Sequence, residues 1–237
     1  ETIHQKNDAA GNITLIERLR ADGTYEYREV RAPDGSKEFF YYNTAGKLVT
    51  DVQVASDGTS TTFTYDPATE QVISKVVKET DGDIFTSQYV NGVRTLYAVT
   101  SHEGWKQQIT YDAKTGVILV DYKLNADGSA VNKTYVGGVL TKENTQNADG
   151  TYDSWNYNIT GQTYVTIHQK SDANGNVTLI ERLHADGTYD YREIRSADGA
   201  KQYLYYDTAG RVLNDVQVAA DGTNTTFKYD PSSGAVI

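Results

Sequence analysis

Along most of the chain, apolar or aromatic residues alternate with polar ones at a spacing of two. Val52-Gln53-Val54, Thr61-Thr62-Phe63-Thr64-Tyr65 and Trp105-Lys106-Gln107-Gln108-Ile109-Thr110-Tyr111 show the pattern. A period of two puts successive side chains on opposite faces, which is the signature of a strand. Thr, Val, Ile and Tyr, which dominate these runs, fit a pleated surface well. The runs are cut by glycines at Gly11, Gly23, Gly35, Gly46, Gly58, Gly82, Gly92, Gly104, Gly116, Gly128, Gly138, Gly150 and Gly161, with Glu70 on the one missing beat. The beat of about twelve residues leaves about eight between turns, too few for ordinary helices. Leu15-Ile16-Glu17-Arg18-Leu19 has a helix-like composition but falls on the same beat, so it too is expected to be strand.

Two kinds of turn alternate. One is Asp-Gly, as at Asp34-Gly35, Asp57-Gly58, Asp81-Gly82, Asp127-Gly128, Asp149-Gly150, Asp198-Gly199 and Asp221-Gly222. The other follows an aromatic residue, as in Tyr65-Asp66-Pro67 and Tyr111-Asp112-Ala113-Lys114-Thr115-Gly116. Glycine supplies positive φ; Asp tolerates the left-handed region and bonds its own turn, so both read as hairpins in a unit of about 23 residues. Strands joined so tightly must be antiparallel neighbours. The expected fold is all-β: an elongated antiparallel meander of about twenty strands, or the same sheet coiled into a spiral, solenoid-like shell.

The units are themselves duplicated. Thr2 to Ile73 aligns without a gap onto Thr166 to Ile237, with about two thirds of positions identical. Residues 1–164 therefore form one superrepeat of about seven hairpin units, and residues 165–237 begin the next, equivalent to 1–73. Because Ile237 matches Ile73, the parent sequence is expected to continue with residues like Ser74-Lys75-Val76-Val77. Near-identical copies add length without adding a site, which suits a spacer better than an active centre.

Composition narrows the function. A formal charge of -10 repels nucleic-acid phosphates and anionic lipid, so neither is expected as a partner. No stretch of eighteen apolar residues is present, so no membrane insertion is expected. With no Cys, disulfides, thiolate catalysis and Cys-ligated zinc are excluded. Met is absent too, and Glu1-Thr2-Ile3-His4-Gln5-Lys6 is unlike a signal peptide, so any targeting signal is expected elsewhere in a longer parent.

The beat Tyr-Asp-x-x-Gly followed by a basic and an aliphatic residue occurs in Tyr206-Asp207-Thr208-Ala209-Gly210-Arg211-Val212-Leu213, and Tyr65-Asp66 and Tyr229-Asp230 repeat its start. It resembles the YD-repeat of rearrangement-hotspot proteins and teneurins. The resemblance implies a secreted or surface β-sheet array, which in that family can wrap into a hollow shell around a toxic cargo. The long duplication is also similar to the stalk of a giant bacterial adhesin, a related kind of tandem β-hairpin protein.

Candidate chemistry is sparse. His4 and His168 are repeat equivalents, Arg20 stands where His184 does in the other copy, and His102-Glu103 lacks a second His at helical spacing. Most acidic residues sit in turns, where a backbone role accounts for them. No enzyme is therefore expected, and no catalytic or metal residue is assigned. Calcium is the one cofactor considered: Asp172-Ala173-Asn174-Gly175 has part of a ligand loop but not the full pattern. The 19 Tyr and the two Trp remain. Their default role is a cross-strand ladder. Their functional role would be a stacking platform for sugar, as in the aromatic hairpin repeats of choline-binding and glucan-binding proteins, with Trp105, Trp155, Tyr111 and Tyr157 as the candidate ligand-binding residues. The expected function is a structural stalk or scaffold segment of an extracellular or cell-surface adhesin or matrix protein. Its partners would be neighbouring repeats of the same chain. The alternatives are a carbohydrate-binding adhesin repeat, with an extracellular polysaccharide as partner, and a YD-type shell segment of a toxin-encapsulating protein.

Overall fold

In Arg20-Ala21-Asp22-Gly23-Thr24, the Gly23 amide donates to the Arg20 carbonyl at 3.0 Å and the Arg20 amide donates to the Thr24 carbonyl at 2.8 Å. Gly23 has φ 84, which closes a type I turn with a one-residue bulge. The positive φ falls on Gly23, as expected of the glycine, and Asp22 stays outside the left-handed region. Its Oδ1 accepts the Thr24 amide at 2.9 Å and the Thr24 hydroxyl at 2.7 Å, and these bonds hold its carboxyl below the usual carboxylate range. Asp127 with Ser129, Asp149 with Thr151 and Asp186 with Thr188 repeat the arrangement.

The Tyr65-Asp66 turn is one residue longer: the Glu70 amide donates to the Asp66 carbonyl at 2.7 Å, and Glu70 sits at φ 59. Gly116 and Gly234 occupy this place in the matching turns, at φ 70 and 71. Glu70 thus carries a Cβ where the backbone favours none, and gains only an exposed ion pair with Lys47. Glu70→Gly is expected to stabilise the chain by about 0.5–1 kcal/mol, read as a higher denaturation midpoint. A lower midpoint would show that the Lys47 pair outweighs the strain.

The computed structural model describes residues 1–237, and no helix occurs among them. The chain divides into two units, Glu1–Leu119 and Val120–Ile237. In the first, the strands are β1 Thr2–Asn7, β2 Ile13–Leu19, β3 Tyr25–Arg31, β4 Lys37–Tyr42, β5 Leu48–Val54, β6 Ser60–Tyr65, β7 Val72–Lys78, β8 Ile84–Val90, β9 Val93–Thr100 and β10 Lys106–Tyr111. In the second they are β11 Ile118–Leu124, which begins just before the division, β12 Ala130–Val136, β13 Val139–Gln146, β14 Tyr152–Asn156, β15 Thr166–Ser171, β16 Val177–Leu183, β17 Tyr189–Arg195, β18 Lys201–Tyr206, β19 Val212–Val218 and β20 Asn224–Lys228. The helix-like Leu15–Leu19 segment is strand, within β2.

Within each unit every pairing is antiparallel and joins chain neighbours, from β1–β2 through β9–β10 and from β11–β12 through β19–β20. No strand packs on a strand other than its neighbours, so each unit is an open meander one layer thick. The superrepeat boundary falls between β14 and β15, inside the second unit.

One layer cannot enclose an apolar core. Val99 and Tyr191 are the only buried hydrophobic residues, whereas Glu17, Glu29, Asp51, Glu181, Glu193 and Asp215 are buried carboxylates. The register explains this. Residues directly opposite across antiparallel strands share a face, and His4, Glu17, Arg28, Phe40, Asp51, Phe63, Lys75 and Ser87 form one such row. In the second unit the row is Asp121, Lys133, Glu143, Trp155, His168, Glu181, Arg192, Leu204, Asp215 and Phe227. Long side chains of opposite charge and aromatic rings cover one another along these rows. Cross-strand tyrosines do the same: Tyr27 faces Tyr41 and Tyr191 faces Tyr205, each pair at 5.3 Å between ring centroids. The Tyr27 hydroxyl donates to Glu29 at 2.8 Å, and burial with that carboxylate raises its pKa.

One difference between the copies shows how these rows are balanced. Gln202 donates to both oxygens of Asp215, at 3.0 and 3.1 Å, and Gln217 adds a bond of 2.8 Å. In the first copy Glu38 replaces Gln202, Asp51 accepts only from Gln53, and its Oδ1 is buried without a partner. Burial, together with the Glu38 charge, raises the Asp51 pKa. A folded-state carboxyl with a raised pKa costs stability as pH rises through the carboxylate range, and the cost is complete above it. Glu38→Gln should therefore stabilise the chain at pH 7 by about 1–2 kcal/mol, with the gain shrinking below about pH 4. Thermal melts at both pH values test it, and an unchanged pH 7 melt would refute the balance described.

Candidate functional site at the junction of the repeats

Where one copy meets the next, β14 lies beside β15 with Trp155 opposite His168 and Asp153 opposite Lys170. The Trp155 indole stacks on the His168 imidazole at 3.8 Å between centroids and 9° between planes. Tyr157 lies parallel to the indole at 6.2 Å and 7°, and burial followed by the Glu143 charge raises its pKa. His168 Nδ1 is 2.8 Å from Glu181 Oε2 and Nε2 is 2.7 Å from Asp153 Oδ1. Arg192 donates from Nε to the other Glu181 oxygen at 2.9 Å, and its guanidinium lies over the Tyr189 ring at 4.9 Å. Lys170 Nζ is 3.6 Å from Asp153 Oδ1. The His168 side chain is 5% exposed.

The first copy reproduces the inner half of this arrangement. His4 Nδ1 is 2.9 Å from Glu17 Oε2, and Arg28 donates to Glu17 Oε1 at 3.1 Å. The His4 bond, ahead of that of Arg28, holds the Glu17 carboxyl below its usual value. The downstream triplet recurs as well. Glu29 accepts from Tyr27 and Arg31, and Glu193 accepts from Tyr191 and Arg195.

Of the four aromatic candidates, Trp155 and Tyr157 are brought together. Trp105 lies just before β10 and Tyr111 ends it, six residues and about 20 Å apart along extended chain. Tyr111 lies under the Arg94 guanidinium at 4.9 Å. His168 and Asp153 are members that composition and motif did not single out. Their signal is the register across the loop between β14 and β15, which becomes visible only once the strands are paired.

In the segment considered for calcium, the Asp172 carboxylate bonds its own turn. Asp172 Oδ1 accepts the amides of Asn174 and Asn176, and Oδ2 accepts the Asn176 side chain, all within 2.9 Å. A different group, Asp81, Asp83 and His102, places three potential ligand atoms within 4.8 Å of one another. His102 Nδ1 lies 2.6 Å from Asp83 Oδ1, and that bond raises the His102 pKa while bonds from His102 lower that of Asp83. A set containing imidazole is not the all-oxygen shell that calcium prefers.

The sequence matches no protein-family model and no curated protein. Among solved structures, the chain is similar over 96% of its length to part of a mutant Tc holotoxin pore from Photorhabdus luminescens, at 12% identity and a TM-score of 0.26. It is similar over the same share to part of a crystal structure of TcdB2-TccC3-Cdc42, at 10% identity and a TM-score of 0.22. The chain spans 15% and 18% of those two chains.

Proposed function

We propose that the chain is a non-catalytic structural repeat, a stalk or scaffold segment of a large secreted or cell-surface protein whose neighbours are further copies of itself. The observation that carries this is the residue-by-residue recurrence of the buried network. His4, Glu17 and Arg28 in one copy match His168, Glu181 and Arg192 in the other, with bond lengths that differ by no more than 0.2 Å. What the duplication preserves is thus the set of contacts that holds strand to strand, as expected of an array that propagates through nearest-neighbour interfaces. The resemblance to YD-repeats favours an exterior location and leaves a shell segment as one form such a scaffold can take.

A carbohydrate-binding reading rests on the parallel rings of Trp155 and Tyr157. One experiment separates the two. On a glycan array, a scaffold should show no binding above background, and adding a copy should leave the strand signal per residue in circular dichroism unchanged. Saccharide binding by the intact chain that Trp155→Ala abolishes while the variant keeps its strand signal in circular dichroism would replace the scaffold reading with the adhesin one.

A further inference from the structure

The turn between β7 and β8, Glu79-Thr80-Asp81-Gly82-Asp83, departs from the others of its kind. At the other Asp-Gly turns the residue after glycine is Thr, Ser or, at Ala200, Ala. Thr24, Ser36, Ser129, Thr151 and Thr188 each donate a hydroxyl from this place to the turn aspartate at 2.7 Å. Asp83, ionised, has no proton to donate. Asp81 Oδ1 therefore accepts only the Asp83 amide, at 2.9 Å, and two carboxylates stand side by side on one turn. The next turn on the same edge, between β9 and β10, departs as well. In Ser101-His102-Glu103-Gly104-Trp105 an imidazole stands where Ala21, Ala126, Ala148, Ala185 and Ala220 stand in other turns.

The two departures meet. His102 Nδ1 lies 2.6 Å from Asp83 Oδ1 and 3.9 Å from Asp81 Oδ2. Asp83 Oδ1 also accepts the His102 amide at 2.8 Å and the Ser101 hydroxyl at 3.2 Å, which fixes one turn against the other. The second oxygen of each aspartate accepts no hydrogen bond from the protein. Glu17, Glu29, Glu181 and Glu193 each have an arginine partner, whereas no Lys or Arg pairs with Asp81, Asp83 or Glu103. We propose that His102, Asp81 and Asp83 form a site for one divalent transition-metal ion of the zinc type, held by His102 Nδ1 and one oxygen of each aspartate, with a fourth position open to solvent. One imidazole and two carboxylates suit zinc better than calcium or magnesium, which take oxygen alone. Zinc at about 2.0–2.1 Å from each ligand atom needs those atoms about 3.4 Å apart, and the separations of 2.6 and 3.9 Å lie on either side of that value. His102 and Asp81 are half exposed, so an ion enters from solvent without opening the fold. It supplies the positive charge that these turns lack and ties the β7–β8 hairpin to the β9–β10 hairpin.

The test titrates zinc into the full chain, free of any affinity tag and stripped of metal with a chelator, and follows the heat of binding. One zinc per chain is expected, together with a melting midpoint that rises with zinc, since the site exists only in the folded state. His102→Ala and Asp81→Asn should each weaken zinc binding by at least about ten-fold. Both positions are exposed, and asparagine keeps an oxygen for the Asp83 amide, so both variants should retain the strand signal in circular dichroism. His4→Ala, which removes the imidazole of the His4–Glu17 pair, should leave zinc binding unchanged. No saturable heat at millimolar zinc, or binding that survives both His102→Ala and Asp81→Asn, would overturn the proposal. Calcium binding as tight as that of zinc would overturn it too, because the imidazole would then not be a ligand. None of these outcomes bears on whether the chain is a scaffold or binds a glycan.

Discussion

His168→Ala is expected to destabilise the second unit by about 2–4 kcal/mol, whereas His4→Ala should cost less than about 1 kcal/mol. The two residues have the same sequence context and the same inner partner, so the difference isolates what burial at the junction adds. Removing the His168 ring leaves Asp153 and Glu181 facing each other across the space it filled, with Glu181, 9% exposed in the intact junction, held only by Arg192 on the other side. It also strips the Trp155 indole of the ring it lies on at 3.8 Å. His4 lacks both of these: no carboxylate stands at its Nε2, and its side chain is half exposed. Urea unfolding followed by tryptophan fluorescence measures both variants. Equal losses would mean that the Trp155 and Asp153 contacts contribute nothing beyond the shared Glu contact.

Gly150→Val should cost about 2–3 kcal/mol, more than Gly11→Val. Both glycines sit at φ close to +85, so both substitutions force a β-branched residue into the left-handed region. At Gly11 the added Cβ meets nothing within 4 Å, whereas at Gly150 it comes within 3.2 Å of the Ala173 Cβ in the next turn but one. The excess at Gly150 therefore measures how closely successive turns on one edge of the meander pack. If Gly11→Val costs as much, backbone strain is the whole effect and the turns do not support one another.

Strand content, antiparallel order and the turn positions were all legible in the sequence, because each follows from interactions a few residues long. The glycine beat found every hairpin, and it found Glu70 as the residue standing in for a glycine, which the structure places at φ 59. The division of labour in the turns was legible too: Asp22 bonds its turn and Gly23 takes the left-handed conformation, as expected.

What required the tertiary structure was the face each side chain shares with its neighbours. Alternation gives two faces to every strand but does not say how two strands are offset, and an offset of one residue exchanges the faces. The bulges after Lys170 and Arg182 and the long loop before β15 set that offset. Only the resulting register shows that the buried residues are mainly carboxylates matched to Arg, His and Gln. It also decided that Trp155 lies between Tyr157 and His168 as ring partners, while Trp105 and Tyr111 flank the length of β10. By itself the sequence determined the hairpin unit, its duplication and an all-β chain with little apolar core. The structure decided how a single layer tolerates that composition: the long charged side chains lie flat across neighbouring strands, which no residue spacing along one strand can reveal.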